Sequence, residues 1–240
     1  MTITTELLLF GLFQVKARMS KITGLFVLTA GIFLAVACGN KEQPETDVFP
    51  EAVDLGLSVK WASFNVGAHS PYEAGFYLAW GETSPKEYYT HLTYSMGTGD
   101  WGKVSKYQSD EAQVLAKEDD VAHAAYGGSW RMPTFEEINE LRTATFLLRK
   151  VVKENGVWGL RITSAKTRNS IFLPACGTKY MSSTVQGENE FGCYWSSTTQ
   201  KGNPFQAQQL WITPSLTRQQ EIIYIQAQTR FTGASVRAVK

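Results

Sequence analysis

Apolar and polar residues alternate along several short stretches of the chain, and this alternation predicts β-strands. In residues 54–68 the apolar positions fall at every second residue, Leu55, Leu57, Val59 and Trp61, and the pattern stops at Asn65 and Gly67. A period of two indicates a half-buried strand that enters a turn. A second strand is predicted in GFYLAWGE, residues 75–82. Residues 83–108 have no sustained period and carry aromatic residues among Gly, Ser and Pro, which predicts a long packed loop.

Two stretches have the features of helices. KEDDVAHAAYGG, residues 117–128, has acidic residues at its start and Gly127 or Gly128 at its end, which favours a short helix. In the following stretch, Thr134 and Glu137 have the spacing of a capping box, and Pro133 ends the segment before it. Apolar spacing then predicts a helix from about residue 135 to residue 150, through Ile138, Leu141, Thr145 and Leu148.

The rest of the chain is a series of strand-like runs separated by Gly, Asn, Pro and Ser clusters. The runs are VWGLRITSA, SIFLPACG, GCYWSSTT, AQQLWIT, EIIYIQAQT and SVRAVK. Two helices ahead of a strand-rich half indicate the α+β class.

The N-terminal region has the pattern of an export signal. Basic residues precede the apolar residues 24–37, and about 20 apolar residues are usual for a membrane span, so a secretory signal is favoured over a transmembrane anchor. The stretch LAVAC resembles a bacterial lipoprotein signal and makes Cys38 the expected lipidated residue. We therefore expect an over-extended start in 1–18, a signal peptide in 19–38, a flexible tether in 39–51 and the folded domain in 52–240.

Charge and cysteine usage narrow the function classes. The formal net charge is +1 without long runs of either sign, which argues against nucleic-acid partners. In an exported chain, Cys176 and Cys193 could form a disulfide or remain as two buried thiols, and the sequence leaves both open. We predict no metal site and no cofactor, because there is no second cysteine pair and no histidine at ligand spacing.

Four blocks in a fixed order carry a family resemblance: EDDVAHAAYGGSWRMPTFEEINEL, SIFLPACG, GCYWSSTT and GASVRAV. Together with the opening of the domain, they resemble the Fibrobacter succinogenes major paralogous domain of Bacteroidetes lipoproteins, from about residue 52 to residue 239. Cys176 and Ala238 depart from that family's usual residues. The resemblance implies a C-type lectin-like fold, in which two helices flank a small sheet, the domain termini lie together, and a second sheet presents irregular loops.

Within that resemblance, the dense stretch around Pro133 is expected to be structural. Trp130 and Met132 are expected in the core, and Arg131 in an ion pair or as a loop clamp, with Thr134 and Glu137 capping the helix. Trp195, in the block GCYWSSTT, is expected to be structural as well.

Enzyme and calcium-lectin functions are disfavoured. Relatives of the fold include the enzyme that generates formylglycine, whose two copper-binding cysteines lie close together near its C-terminus, unlike Cys176 and Cys193. Calcium-dependent lectins use Gln-Pro-Asp or Glu-Pro-Asn loops, whereas the QP pair of this chain, Gln43 and Pro44, lies in the tether. We therefore expect a non-catalytic protein whose binding does not depend on calcium.

The last strands are the predicted ligand face. Gln209, Trp211 and Thr213 are expected to point outward, opposite Ala207, Leu210 and Ile212. The same pattern places further amide and aromatic side chains outward, Tyr224, Gln226 and Gln228, with Arg218 in the turn. Rings and amides suit a glycan or a protein. The alternative is that these glutamines are ordinary soluble strand-surface residues.

The expected function is recognition of a glycan or protein ligand by a lipid-anchored protein at the outer membrane or cell surface. A structural or tip subunit of a fimbria-like assembly is the alternative, which would give the protein surface-assembly partners. An enzyme related to formylglycine-generating proteins is the least favoured function.

Overall fold

Three β-sheets and two α-helices occur in residues 48–214 and 222–240, the part of the chain that the computed structural model describes. The α+β class predicted from the sequence is confirmed. The helices are α1, Val121–Tyr126, and α2, Phe135–Thr143, with a 3-10 turn at Lys117–Asp119. The strands are β1 Ala52–Val53, β2 Trp61–Ala62, β3 Leu147–Glu154, β4 Val157–Ser164, β5 Ser170–Pro174, β6 Cys176–Thr178, β7 Gln186–Glu188, β8 Gly192–Gln200, β9 Asn203–Ile212 and β10 Ile223–Thr229.

The largest sheet has the strand order β10-β9-β8-β6-β7, and all its pairs are antiparallel except β6 with β8. A second sheet is the meander β3-β4-β5, and β1 with β2 forms a third. Adjacent strands in the first two sheets are mostly neighbours in sequence, as expected for short connections. The strand-rich C-terminal half predicted from the sequence is therefore present.

Helix α1 begins and ends as the sequence predicts. The Asp120 carboxylate accepts hydrogen bonds from the backbone N–H groups of Ala122 and His123, which have no partner within the helix. The helix ends at Gly127, whose φ of 64° lies in the left-handed region that glycine occupies without strain. Asp120 also accepts from the backbone N–H of Met132 at 2.8 Å, so the cap joins α1 to the segment before α2.

Helix α2 begins as predicted but is much shorter than predicted. The capping box is present, with Thr134 Oγ1 accepting from Glu137 N and the Glu137 carboxylate accepting from Thr134 N. The helix ends at Thr143, and Leu148 lies in β3 with its side chain 66% exposed. The Arg149 guanidinium donates to the Leu141 and Ala144 carbonyls, so a strand residue satisfies the acceptors that another helical turn would have used.

Two predicted strands are wrong. Of the first, only Trp61–Ala62 pairs, as β2, and residues 56–59 form bends, because the Asp54 side chain accepts from Gly56 N and the Glu140 carboxylate of α2 accepts from Ser58 N. One local side-chain acceptor and one from α2 have replaced strand partners there. Residues 75–82 make only an isolated bridge, Leu78 with Ala234.

The last residues close the domain as single bridges instead of the predicted strand. Val239 pairs with both Trp61 and Arg131, and Lys60 N donates to Lys240 O at 2.9 Å. The start and end of the domain therefore lie side by side. Arg237, fully buried next to this contact, donates to Asn65 Oδ1 and to backbone carbonyls of Ala62 and Phe172.

Core side chains cover both faces of the sheet formed by β8, β9 and β10. Tyr194, Leu210 and Ile223 pack on one side with residues of α2 and the β3-β4-β5 meander. On the other side, Trp195 and Ala207 pack with a second group that includes Trp80, Trp130 and Val236. This double coverage decides how much of the sheet is left to meet a ligand.

Candidate functional site

The predicted ligand face on β9 and β10 is only partly exposed to solvent. Gln209 is fully buried, so the prediction that it points outward is wrong, whereas Trp211, Thr213, Tyr224 and Gln228 are half-buried. Ala207 lies on the same face as Gln209 and Trp211, because residues two apart in a regular strand share a face, and that face packs on the core. Gln226 alone among the six described members is exposed. Arg218 lies outside the described residues, and so does Cys38.

The rings of this face hold one another in place. Trp211 stacks between Phe191 and Tyr224, with centroid distances of 5.1 and 6.0 Å and interplanar angles of 24° and 23°. Its indole Nε1 donates to Gln209 Oε1 at 3.1 Å. Stacked rings and a satisfied indole N–H are typical of a ring used for packing. Trp211 therefore fits a role in packing better than a role in ligand contact.

The stretch around Pro133 is built as a scaffold. Arg131 forms a two-point ion pair with Glu137, at 2.7 Å from Nη1 and 2.5 Å from Nη2, and Trp130 and Met132 are buried. Burial alone would raise the pKa of the Glu137 carboxyl, but the hydrogen bonds from Arg131 and the Thr134 backbone outweigh it and lower that pKa. The hydrogen bonds of the Glu137 carboxylate, from Arg131 and from the Thr134 backbone, therefore stabilise the start of α2.

Pro133 and Trp195 complete this scaffold. The Pro133 carbonyl accepts from Ser197 N at 2.7 Å, which fixes the start of α2 against β8. Trp195, fully buried, donates its indole N–H to the Leu78 carbonyl at 2.8 Å. Both residues thus connect β8 to segments distant in sequence.

Cys176 and Cys193 are free and buried. Cys176 Sγ lies 3.1 Å from Ser235 Oγ, and burial raises the pKa of both thiols. A thiol whose pKa is raised by burial carries little thiolate at neutral pH. Their surroundings therefore suit core packing and do not suit a nucleophile.

Five of the eleven exposed large apolar side chains among the described residues lie on two paired loops, and we call this group the aromatic surface. It consists of five residues from two loops, Tyr88, Leu92, Trp101, Tyr180 and Met181. Trp101 is 57% exposed and Leu92 is 72% exposed. Singly scattered apolar residues are normal on a protein surface, but a contiguous group marks an interaction site.

A layer of buried rings supports the aromatic surface from below. The Trp101 ring contacts His91, Phe205 and Phe231 at centroid distances of 5.1, 5.7 and 5.6 Å. Tyr180 stacks on Phe231 at 5.6 Å and 21°. Phe231 is fully buried and therefore anchors both exposed rings.

Backbone hydrogen bonds fix the two loops to each other. Met181 N donates to Tyr89 O at 3.0 Å, and Tyr89 N donates to Ser182 O at 3.3 Å. Trp101 lies at the tip of a turn closed by Ser105 N donating to Met96 O at 2.8 Å. Backbone hydrogen bonds thus hold the loops that carry the aromatic surface, which reduces the conformational entropy lost when a ligand binds.

Sequence reasoning predicted the loop that carries three of the five residues of this surface, but it did not predict a site there. Residues 83–108 were predicted as a packed loop rich in rings, and within that range there is neither a helix nor an extended strand. It missed Tyr180 and Met181, because their position beside Tyr89 depends on contacts across about ninety residues of sequence. No local pattern carries that information.

A separate polar groove lies beside the same loop and has a volume of about 580 Å³. Its walls come from residues 81–86, 93, 95–96, 105–106 and 118–119. Lys86 Nζ pairs with Glu82 at 2.7 Å, and Lys106 Nζ pairs with Asp119 at 2.9 Å. The walls are therefore lined by neutralised ion pairs together with hydroxyl side chains.

Comparison with protein-family models, with curated proteins and with solved structures finds no match to this chain. In residues 48–214 and 222–240, no three His, Cys, Asp or Glu side chains are grouped so that they could hold a metal ion. Over the same ranges, none of the helices has the length and apolar character needed to cross a bilayer.

Proposed function

We propose that the protein is a non-catalytic, calcium-independent recognition module, and that the aromatic surface contacts its glycan or protein ligand. The observation that carries the proposal is the cluster of exposed rings and aliphatic side chains on a rigid base of buried rings. Aromatic residues and Met are enriched in the cores of protein interfaces, and an exposed Trp gives large contact area at a small entropy cost.

The composition of the aromatic surface favours a protein ligand over a glycan. Aromatic faces suit both classes of ligand, because rings stack on flat apolar surfaces of either kind. Leu92 and Met181, however, offer only flexible aliphatic contact and no hydrogen-bond donors. They match an apolar side chain of a partner better than they match a hydroxylated ring.

We propose that the fold is C-type lectin-like, as the family resemblance implies. Two features support this proposal: α1 and α2 precede a strand-rich half, and the first and last segments of the domain lie side by side. The residues of the aromatic surface lie in irregular segments outside the helices and strands. Its ligand contacts would then come from loops held by a rigid scaffold.

We propose that the protein is exported and anchored by a lipid on Cys38, at the outer membrane or cell surface. The basic, apolar and small-residue pattern of residues 19–38 supports this proposal. Replacing Cys38 with Ala should abolish incorporation of labelled fatty acid and release the protein from membranes. A Cys38→Ala protein that is still acylated would contradict the anchor.

The experiment for recognition is binding of the protein to arrays of glycans and of surface and matrix proteins, with and without a calcium chelator. Trp101→Ala should lower affinity at least about 30-fold, as expected for a central aromatic contact. Trp158→Ala is the matched control, because Trp158 is also exposed, at 37%, but lies in β4 of the three-stranded sheet and is not one of the five residues of the aromatic surface. Chelation should leave binding unchanged.

Three outcomes would count against the proposal. Equal loss of binding in both Trp variants would remove the aromatic surface as the site, and chelator-sensitive binding would contradict calcium independence. Ordered self-association that Trp101→Ala abolishes, with no other ligand bound, would favour the surface-assembly subunit.

A further inference from the structure

The polar groove differs from the aromatic surface in chemistry and in the side chains that line it. None of the five residues of the aromatic surface is among its lining residues. Its volume of about 580 Å³ falls within the range of roughly 300–1,000 Å³ that is typical of small-molecule sites. The groove is therefore a second candidate site with its own ligand.

The groove has hydrogen-bonding capacity that the protein does not use. Five hydroxyl side chains line it. Thr93 Oγ1 donates to the Tyr88 carbonyl, whereas the side chains of the other four, Thr83, Ser84, Ser95 and Ser105, make no hydrogen bond within the described ranges. Each hydroxyl can donate one hydrogen bond and accept others. A ligand that fills the groove must therefore offer both donors and acceptors.

The charges of the groove walls are balanced in pairs. Glu82 Oε1 accepts from Lys86 Nζ at 2.8 Å and from Ser95 N at 2.7 Å, so this carboxylate is fully engaged. Asp119 accepts from Lys106 Nζ at 2.9 Å through both oxygens and from the Tyr107 hydroxyl at 2.7 Å. Neither pair leaves a net charge to attract an anion or a cation.

Glu118 adds a third carboxylate to the groove wall, and Arg230 supports that wall from the core. Glu118 is an exposed carboxylate of the wall, and Arg230 lies fully buried behind it, with Nη2 3.5 Å from the Sδ of the lining residue Met96. Arg230 donates to Tyr94 Oη and to the Lys106 and Pro204 carbonyls, which fixes the groove wall from behind. The groove is thus preformed, and its lining carries two ion pairs and one further carboxylate, Glu118.

We propose that the polar groove binds an uncharged ligand rich in hydroxyl groups, such as a mono- or disaccharide. The Lys106 ammonium, on a side chain that is 53% exposed, can donate to a ligand hydroxyl while it holds Asp119. Wall hydroxyls supply the further donors and acceptors, and Met96 supplies apolar contact for C–H groups of a ring. This site does not depend on binding at the aromatic surface.

The test uses the full chain and two sets of probes, measured by saturation-transfer NMR and calorimetry. The neutral probes are glucose, galactose, N-acetylglucosamine, cellobiose and lactose, and the charged probes are glucuronate and glucosamine. At least one neutral probe should bind more tightly than both charged probes. Binding should survive in Trp101→Ala, which separates this site from the aromatic surface.

Two variants locate the site. Ser105→Trp should fill the groove and abolish binding of the neutral probe, whereas Ser109→Trp, also at an exposed serine but outside the groove, should not. Lys106→Met should weaken binding by about tenfold or more, through loss of a charged donor. Lys103→Met is its control, because Lys103 pairs with Asp100 on the surface, outside the groove.

Each other result overturns the proposal. No binding of any neutral probe at millimolar concentration would do so, as would tighter binding of a charged probe. Binding of a neutral probe that persists in folded Ser105→Trp would place the ligand outside the groove. This result tests the site even if Lys106→Met does not fold.

Discussion

Asp120 is expected to be one of the most important polar side chains for stability, because one buried carboxylate holds two segments together. Oδ1 accepts from Ala122 N at 2.9 Å and from His123 N at 3.1 Å at the start of α1. Oδ2 accepts from Met132 N at 2.8 Å. The substitution Asp120→Ala removes all three hydrogen bonds and leaves a buried backbone N–H at Met132 without a partner.

The expected loss of stability can be worked from these contacts. Loss of the N-cap costs about 1 kcal/mol. The stranded N–H of Met132 costs roughly 1–3 kcal/mol. Burial raises the pKa of Asp120, so removing the partly desolvated carboxylate returns a part of this, and we expect a net loss of about 2–3 kcal/mol.

Urea unfolding followed by circular dichroism measures this loss. Asp120→Asn should fall between the wild type and Asp120→Ala, because the amide oxygen can still cap α1 while the amide nitrogen cannot accept from Met132. Asp110→Ala, at an exposed aspartate, is the control and should change stability by less than about 0.5 kcal/mol. An Asp120→Ala protein as stable as this control would refute the reasoning.

The remaining predictions test the scaffold and the core. Folding lowers the pKa of Glu137. The stabilising effect of this carboxylate is therefore present above its ordinary pKa of 4.5 and is lost as the pH falls through the lower folded-state pKa. Glu137→Gln should flatten the acid limb of a stability-against-pH curve, whereas Glu136→Gln, at an exposed residue, should not. Gly75→Ala should lower Tm strongly, because φ is +68° and the new Cβ would lie 2.2 Å from Val66 O. Gly99→Ala is the control: its φ is +87° but no atom lies near the new Cβ, so only the smaller backbone strain should lower Tm. Equal losses of Tm would contradict the close contact of Gly75 with Val66. The two core cysteines should react with iodoacetamide only after unfolding, and a disulfide-linked tryptic fragment under non-reducing conditions would contradict their free state.

Local signals in the sequence were sufficient for the helix starts and for several strands. The capping box at Thr134 and Glu137 and the glycine that ends α1 act within one turn of chain, so their patterns carry the structure. The runs that became β4, β8, β9 and β10 are long enough for alternation and turn residues to mark them.

Contacts across long sequence separations decided the rest. The predicted end of α2 was wrong because Arg149 of β3 and the pairing of β3 with β4 outweigh helical apolar spacing. The predicted outward position of Gln209 was wrong because a second core layer covers that face of β9, and alternation within one strand cannot show whether its other face is also packed. The aromatic surface needs Phe231 beneath Trp101 and Tyr180, three segments that only the tertiary fold brings together.

The most direct measurement of the central claim is hydroxyl-radical footprinting with mass spectrometry, with and without a ligand identified on the arrays. Trp101 and Trp158 are both exposed and oxidisable, so each serves as the other's reference in one sample. Recognition through the aromatic surface predicts that the ligand protects Trp101 and Tyr180 while Trp158 stays as reactive as before. Unchanged oxidation of Trp101 at saturating ligand, or protection of Trp158 instead, would contradict it.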